Sequence, residues 1–408
     1  MSNEENGQRI EELNIALFER LNLVDHDKIP WQFRDFTIDG GVATFKVKGE
    51  FEVDLTLGDE DSESQFWFID LRFDFTPVPS EASPRLKGLL EQEVNERLGD
   101  DGLRSCYTWL HEYVLTAKVN ELRRQAYELA HTSWAKTLSL TALDRAFSIQ
   151  YWANRQPQST RAKWGPRGPD GLSRVPKSWI IVSVRSPSQV GGESRDEGTS
   201  SLAATWFRDG REVKDATIEL DHVHLSADRL LKLVIAKHVS HILTEIHAKL
   251  RLAPRFVDRE SALSLHVSEI EASESYLTMQ LSPAENVTLH IEPSTGQFTF
   301  HPHNKATLRG ERQLNLYSPD PAEVGAQCLE SIRWGYLAGE VTRKGRPMGW
   351  VQVDSPLTLE QARAMCKMRR EEDCYAIYLQ RDGVDKERGW YVMLMMSLQG
   401  DKWMAFQE

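Results

Sequence analysis

Apolar residues recur along this chain in two rhythms, one with the period of a helix and one with the period of a strand. Ile10, Leu13, Leu17, Phe18 and Leu21 fall at helical spacing and predict a short amphipathic helix that ends before Pro30-Trp31. Phe45, Val47, Phe51, Val53, Leu55 and Leu57 then alternate with polar residues, as half-buried strands do. Gly49 interrupts the alternation and marks a turn, a bulge or a close backbone approach. After the reversing loop Gly58-Asp59-Glu60-Asp61-Ser62, the run FWFIDLRFDF predicts a further strand with one phase slip near Asp70, of the kind a bulge produces. Pro77 and Pro79 close an antiparallel meander.

Helix takes over from about Pro84 to His131. Leu103, Cys106, Leu110, Val114 and Ala117 form one apolar stripe; Val119, Leu122, Ala126 and Leu129 form a second, offset one. A helix with two offset stripes packs against two neighbours, either its own sheet and a partner chain or two elements of this chain. We take Tyr113, Val119, Leu122 and Ala126 as candidate partner-facing residues.

The order then repeats. SIQYW, SWIIVSVR, LAATWF and ATIELDHVHL read as strands, followed by a helix from about Asp228 to Leu250 capped by Ser226. ALSLHVSEI, YLTMQLS, NVTLHIEP and GQFTFHP give a third set of strands. A helix follows with Asp320 as cap, Pro321 at its first position and Glu323 returning to the cap. Thr358-Leu359-Glu360-Gln361 repeats a capping signature, and GWYVMLMMSLQ closes as strand. The pattern predicts an α+β fold built of tandem units, each a mainly antiparallel sheet with packed helices. We place the units at 1–135, 140–252 and 260–408, without residue-level self-similarity between them.

Composition narrows the class. With 49 Lys plus Arg against 61 Asp plus Glu the formal charge is −12, which argues against wrapping nucleic acid. The polar, acidic N-terminus is unlike a signal or transit peptide, and no apolar run approaches the roughly 20 residues needed to cross a bilayer. Four cysteines, Cys106, Cys328, Cys366 and Cys374, form no CxxC pair and point to a reducing compartment. The sequon Asn286-Val287-Thr288 is then not a glycosylation site. Residues 155–177 are rich in Pro, Gly, Lys and Arg around Trp164 and read as an irregular basic loop, suited to contact with a protein or with nucleic acid. The stretch at 191–201 has the composition of a solvated insertion.

Motifs for chemistry are scarce. The chain has no GxxxxGK[ST] loop, no strand-associated GxGxxG, no GxSxG elbow and no HExxH. His222, His224, His238 and His241 could in principle hold zinc, but His238 falls within the apolar stripe of Leu231, Val234, Ile235, Ile242 and Ile246 and points into a core. We therefore expect no catalytic residue, no cofactor and no metal. Eight carboxylates at positions 50, 52, 54, 59, 60, 61, 63 and 70 run without an intervening cation, which fits a solvated sheet face and hairpin tip or a surface for a basic partner.

Taken in order, FKVKGEFEVDLTL, FWFIDLRFDF, CYTWLHEYVLTAKVNELRRQA and DRLLKLVIAKHVSHILTEIHAKL resemble the subunit-fourteen family, the scaffold of the Mediator complex, from about Trp31 to about Phe300 and more weakly to the end. The resemblance implies a non-enzymatic transcriptional coactivator of the nucleus, an elongated scaffold of sheet-and-helix repeat motifs that joins head, middle and tail modules and serves RNA polymerase II indirectly. Set beside that family, the chain is expected to hold the repeat-motif core without the extended N-terminal helical segment or the long C-terminal part. The implied partners are other Mediator subunits: the head module with its subunit seventeen, the middle module, and the tail as a further one. Neither direct nucleic-acid binding nor a membrane is implied. The competing class is a metal-dependent enzyme using the four histidines. Trp164 joins Tyr113, Val119, Leu122 and Ala126 as a candidate interface residue.

Overall fold

The computed structural model describes residues 3–59, 64–79, 83–154, 177–186, 199–316, 320–369, 373–381 and 390–407. The chain forms two compact units, one of Met1–Tyr151 with Ser178–Leu230 and one of Trp152–Lys177 with Leu231–Glu408. Among the described residues four antiparallel sheets alternate with helices, the α+β architecture that the pattern predicts.

In the first unit, helix α1 (Asn3–Glu19) lies over a meander of β1 (Phe36–Asp39), β2 (Val42–Val47), β3 (Phe51–Leu57) and β4 (Phe66–Phe73). The alternation works as expected. Ala43, Phe45, Val47, Phe51, Val53, Leu55 and Leu57 are buried, and the even-numbered residues of β3 face outward. The phase slip is a bulge: Asp54 pairs with Asp70 but Leu55 pairs with Phe68, so Ile69 is the extra residue. Gly49 turns the chain at φ +75°, a conformation that calls for glycine, and a Cβ there would press on the Val223 side chain at 3.1 Å.

Helix α2 (Pro84–His131) starts from the Ser83 cap and is interrupted at Asp101-Gly102 by non-helical backbone. It touches β4 of the first sheet and also the second sheet, made of β5 (Ser139–Leu143), β6 (Ala146–Tyr151), β7 (Ser178–Arg185), β8 (Ser201–Arg208) and β9 (Arg211–Glu212). Two elements of this chain therefore supply the two neighbours that the stripes require.

One expected strand is absent. Of ATIELDHVHL, residues 216–225, just His224 forms a bridge, to Thr76. The segment is irregular because its polar bonds are made elsewhere: the Asp221 side chain accepts from the Val223 and His224 N–H groups.

In the second unit, α3 (Ala227–Leu250, from Leu231 onward) and α4 (Pro254–Val257) precede a meander of β10 (Leu263–His266), β11 (Tyr276–Ser282), β12 (Glu285–Ile291) and β13 (Phe298–His301). Helices α5 (Lys305–Asn315) and α6 (Pro321–Gly345) follow. Gly325 of α6 lets α3 approach closely, since a Cβ there would lie 2.6 Å from Ile246. The Asp320 oxygen caps α6 as expected, accepting from the Glu323 N–H. The Glu323 carboxylate bonds Lys249, at 2.8 Å.

The last strands form a fourth sheet that the sequence pattern did not separate from the third: β14 (Trp350–Val353), β15 (Cys374–Arg381), β16 (Trp390–Ser397) and β17 (Lys402–Gln407). Its two faces are both covered. Ile377, Leu394 and Met396 meet Trp334, Leu337 and Val341 of α6, while Tyr378, Met393 and Met395 meet Ala362 and Cys366 at α7 (Leu359–Met365). A strand covered on both sides reads as a continuous apolar run, which is why VMLMM shows no alternation.

Candidate docking surfaces

The histidines are not assembled into a site. His224 Nδ1 lies 2.9 Å from the Thr76 hydroxyl, His238 is buried against the Trp152 ring, and His241 Nε2 lies 3.5 Å from Glu245. Desolvation and the nearby Lys118 charge both lower the pKa of His222. Each ring is engaged by a different neighbour, and among the described residues no group of three or more His, Cys, Asp or Glu could hold a metal ion. The metal-enzyme alternative gains no support. Burial pushes the Cys106 thiol up to about 12 and that of Cys328 up to about 11, so neither is poised as a nucleophile.

Helix α2 carries a line of buried polar groups that hold irregular segments in place. His111 donates from Nδ1 to the Glu50 carboxylate at 2.7 Å and from Nε2 to the Ser200 carbonyl at 2.8 Å. Two acceptors require two N–H groups, hence the imidazolium. Burial opposes that charge, yet the Glu50 carboxylate outweighs it and raises the pKa of His111. Lys118 donates to the Gly49 carbonyl at 2.7 Å and to the His222 carbonyl at 2.9 Å. Gln125 bonds the Leu225 carbonyl and accepts from the Ala227 N–H. One helix face thus pins the turn at Gly49-Glu50 and the segment from His222 to Ala227.

The expected interface stripe is corrected in part. Val119, Leu122 and Ala126 are buried, at 1%, 1% and 0% exposure, so the chain itself covers them and they are closed to a partner. Tyr113 is half-buried, stacked on Trp109 at 5.7 Å and on Phe73 at 6.3 Å, an aromatic ladder at the surface. Trp164 and residues 155–176 of the basic loop lie outside the described residues.

Three other surfaces stand out. The carboxylates of β3 face outward but are bridged by cations: Glu52 to Lys46 and Asp54 to Arg72, at 2.7 and 2.6 Å. That is the ion-paired, solvated face the charge pattern allowed. In the second unit a hollow of about 410 Å³ is lined by His247, Arg251, Phe256 and Arg259, with no acidic residue in its wall. In the first unit a groove of about 580 Å³ separates β8 from residues 213–222. Sequence reasoning missed both concavities, because each is made by segments that meet across turns, although the alternation of Ala216, Ile218 and Leu220 was a signal for the second.

Antiparallel sheets alternating with helices, with the four candidate histidines dispersed among different neighbours, define an α+β protein. Comparison with known proteins gives the lineage. Residues 246–341 match the family model "Fungal Med14 domain", and residues 1–59 match "Mediator complex subunit MED14". Curated proteins called Mediator of RNA polymerase II transcription subunit 14 are similar over nearly the whole chain. That of Neurospora crassa is 42% identical over 98% of this chain and 31% of its own length, and that of Pyricularia oryzae 41% over 100% and 35%. The one from Aspergillus niger is 35% identical over 98% and 34%. The chain belongs to the Mediator subunit 14 family, and it spans about a third of the length of these relatives.

Proposed function

We propose that this chain is a non-enzymatic architectural part of the Mediator coactivator, linking head, middle and tail modules in RNA polymerase II transcription in the nucleus. The observation that carries this reading is the identity of about two residues in five, across nearly the whole chain, with proteins named as Mediator subunits. The partners are other Mediator subunits: the head module including subunit seventeen, the middle module, and the tail as a further partner. Contact with the polymerase is indirect, and neither nucleic acid nor a membrane is engaged directly. Within the first unit, Tyr113 and Trp109 offer the aromatic contact, since half-exposed aromatics are the residues that interfaces use as anchors. Val119, Leu122 and Ala126 serve by fixing α2 in its bed. The test is affinity purification of the tagged chain from fungal nuclei, with mass spectrometry of what accompanies it. Head and middle subunits should co-purify in near-equal amounts, and a chain that purifies free of them would overturn the reading.

A further inference from the structure

Strand β8 is paired on one side from Ser201 to Phe207 and, among the described residues, hardly at all on the other. Leu202 to Phe207 lie opposite β7, while β9 covers just Phe207 and Arg208. The Val213 N–H then donates to the Trp206 carbonyl at 2.9 Å, and the chain leaves the edge. Because backbone groups alternate sides along a strand, the N–H and C=O of Ala204 and Leu202 face the same way as those of Trp206. Among the described residues nothing pairs with them on that side.

The departing segment remains as the opposite wall of the groove. Ala216, Ile218 and Leu220 are half-buried while Thr217 and Glu219 are exposed, which is the alternation of a strand. Its sequence predicts a strand for that reason. Yet among the described residues no backbone–backbone hydrogen bond reaches residues 214–222. The outward N–H and C=O groups of Leu202 and Ala204 therefore border a groove of about 580 Å³ whose other wall is lined by Ala216, Ile218 and Leu220. Backbone polar groups at a sheet edge call for partners, and a strand inserted there would bond to β8 and lay alternate side chains against the half-buried Ala216, Ile218 and Leu220.

We infer that the groove between β8 and residues 214–222 is a strand-addition site that takes an extended segment of another Mediator subunit, its alternate side chains apolar. Residues 191–200, rich in Gly, Ser and charge, have the wrong composition for that strand. The choice of partner rests on the function proposed above; the site itself rests on the hydrogen-bond inventory.

The experiment probes the whole chain against an array of overlapping twelve-residue peptides tiling the other Mediator subunits, followed by hydrogen exchange with the strongest binder. In the free chain the Leu202 and Ala204 amides should exchange rapidly. With peptide added they, and amides in 216–220, should slow at least tenfold. Ala204→Pro removes an outward N–H without touching the β7 ladder, so the fold survives, and peptide affinity should fall at least tenfold. Ala204→Val should bind as the parent does. The site is wrong if no peptide binds, if binding leaves these amides unslowed, if Ala204→Pro binds normally, or if the edge is already protected in the free chain. Any of these outcomes alongside intact co-purification of Mediator subunits would remove the groove and leave the proposed function standing.

Discussion

Each unit is organised by a long helix that touches two sheets, α2 in the first and α6 in the second, but the buried polar groups of the two helices do different work. Those of α2 aim mainly at main chain: Lys118 and Gln125 donate to backbone carbonyls of turns and irregular segments. Those of α6 aim at other charges. Arg255 forks onto Glu330, Arg333 donates to Glu330 at 3.1 Å and to Asp401 at 2.7 and 3.0 Å, and Arg255, Glu330 and Arg333 are buried. The difference teaches where each unit is vulnerable. The first depends on holding particular loops, and the second on keeping a charge network balanced.

The largest effect should therefore come from unbalancing that network. Glu330→Gln leaves two buried guanidinium groups facing a neutral amide, and urea unfolding should show a loss of about 3–5 kcal/mol, with hydrogen exchange placing the loss in the second unit. Lys118→Met should cost less, about 1–3 kcal/mol, because it orphans the carbonyls of Gly49 and His222. Its exchange signature should appear at residues 47–51 and 221–225 and spare α6.

Smaller still is the response to pH. The pKa of His111 is raised in the folded chain, so its stabilising contribution is complete below about 6.5, the value of an unperturbed histidine, and fades as pH rises through the higher folded value. Protection around Gly49-Glu50 should fall across that window, and Glu50→Gln should flatten the response. The network around Glu330 contains no histidine, so protection of that network should not follow it. At the bottom of the scale, Asp320→Ala removes the cap of α6 and a bond to Lys249, and should lower stability by about 1 kcal/mol in thermal melts.

Local physics made much of this legible in the sequence. The bulge at Ile69, the caps at Ser226, Asp320 and Thr358, and the extent of α2 all follow from neighbours in the chain. Short edge strands such as Phe36–Asp39 and Ser139–Leu143 escaped because they bury too little to impose alternation. Cys374–Arg381 escaped for the opposite reason, since both faces are covered towards its end. The ion network was illegible because Arg255 and Glu330 are 75 residues apart and no local pattern joins them. Among the candidate interface residues, the two stripes of α2 were visible, but which of them the chain would cover depends on a sheet that arrives later in the sequence.

That last point is the centre of the account: Val119, Leu122 and Ala126 of α2 are closed by this chain, and of the candidate interface residues on that helix Tyr113, beside Trp109, is the one left open. Thiol labelling measures it directly. With the half-buried Cys374 replaced by serine, Tyr113→Cys and Leu122→Cys are each exposed to a maleimide under native conditions. Tyr113→Cys should label readily and become protected when purified head and middle subunits are added, while Leu122→Cys should stay unlabelled until the chain is unfolded. Ready labelling of a natively folded Leu122→Cys would contradict the account, because the second stripe would then be open to a partner.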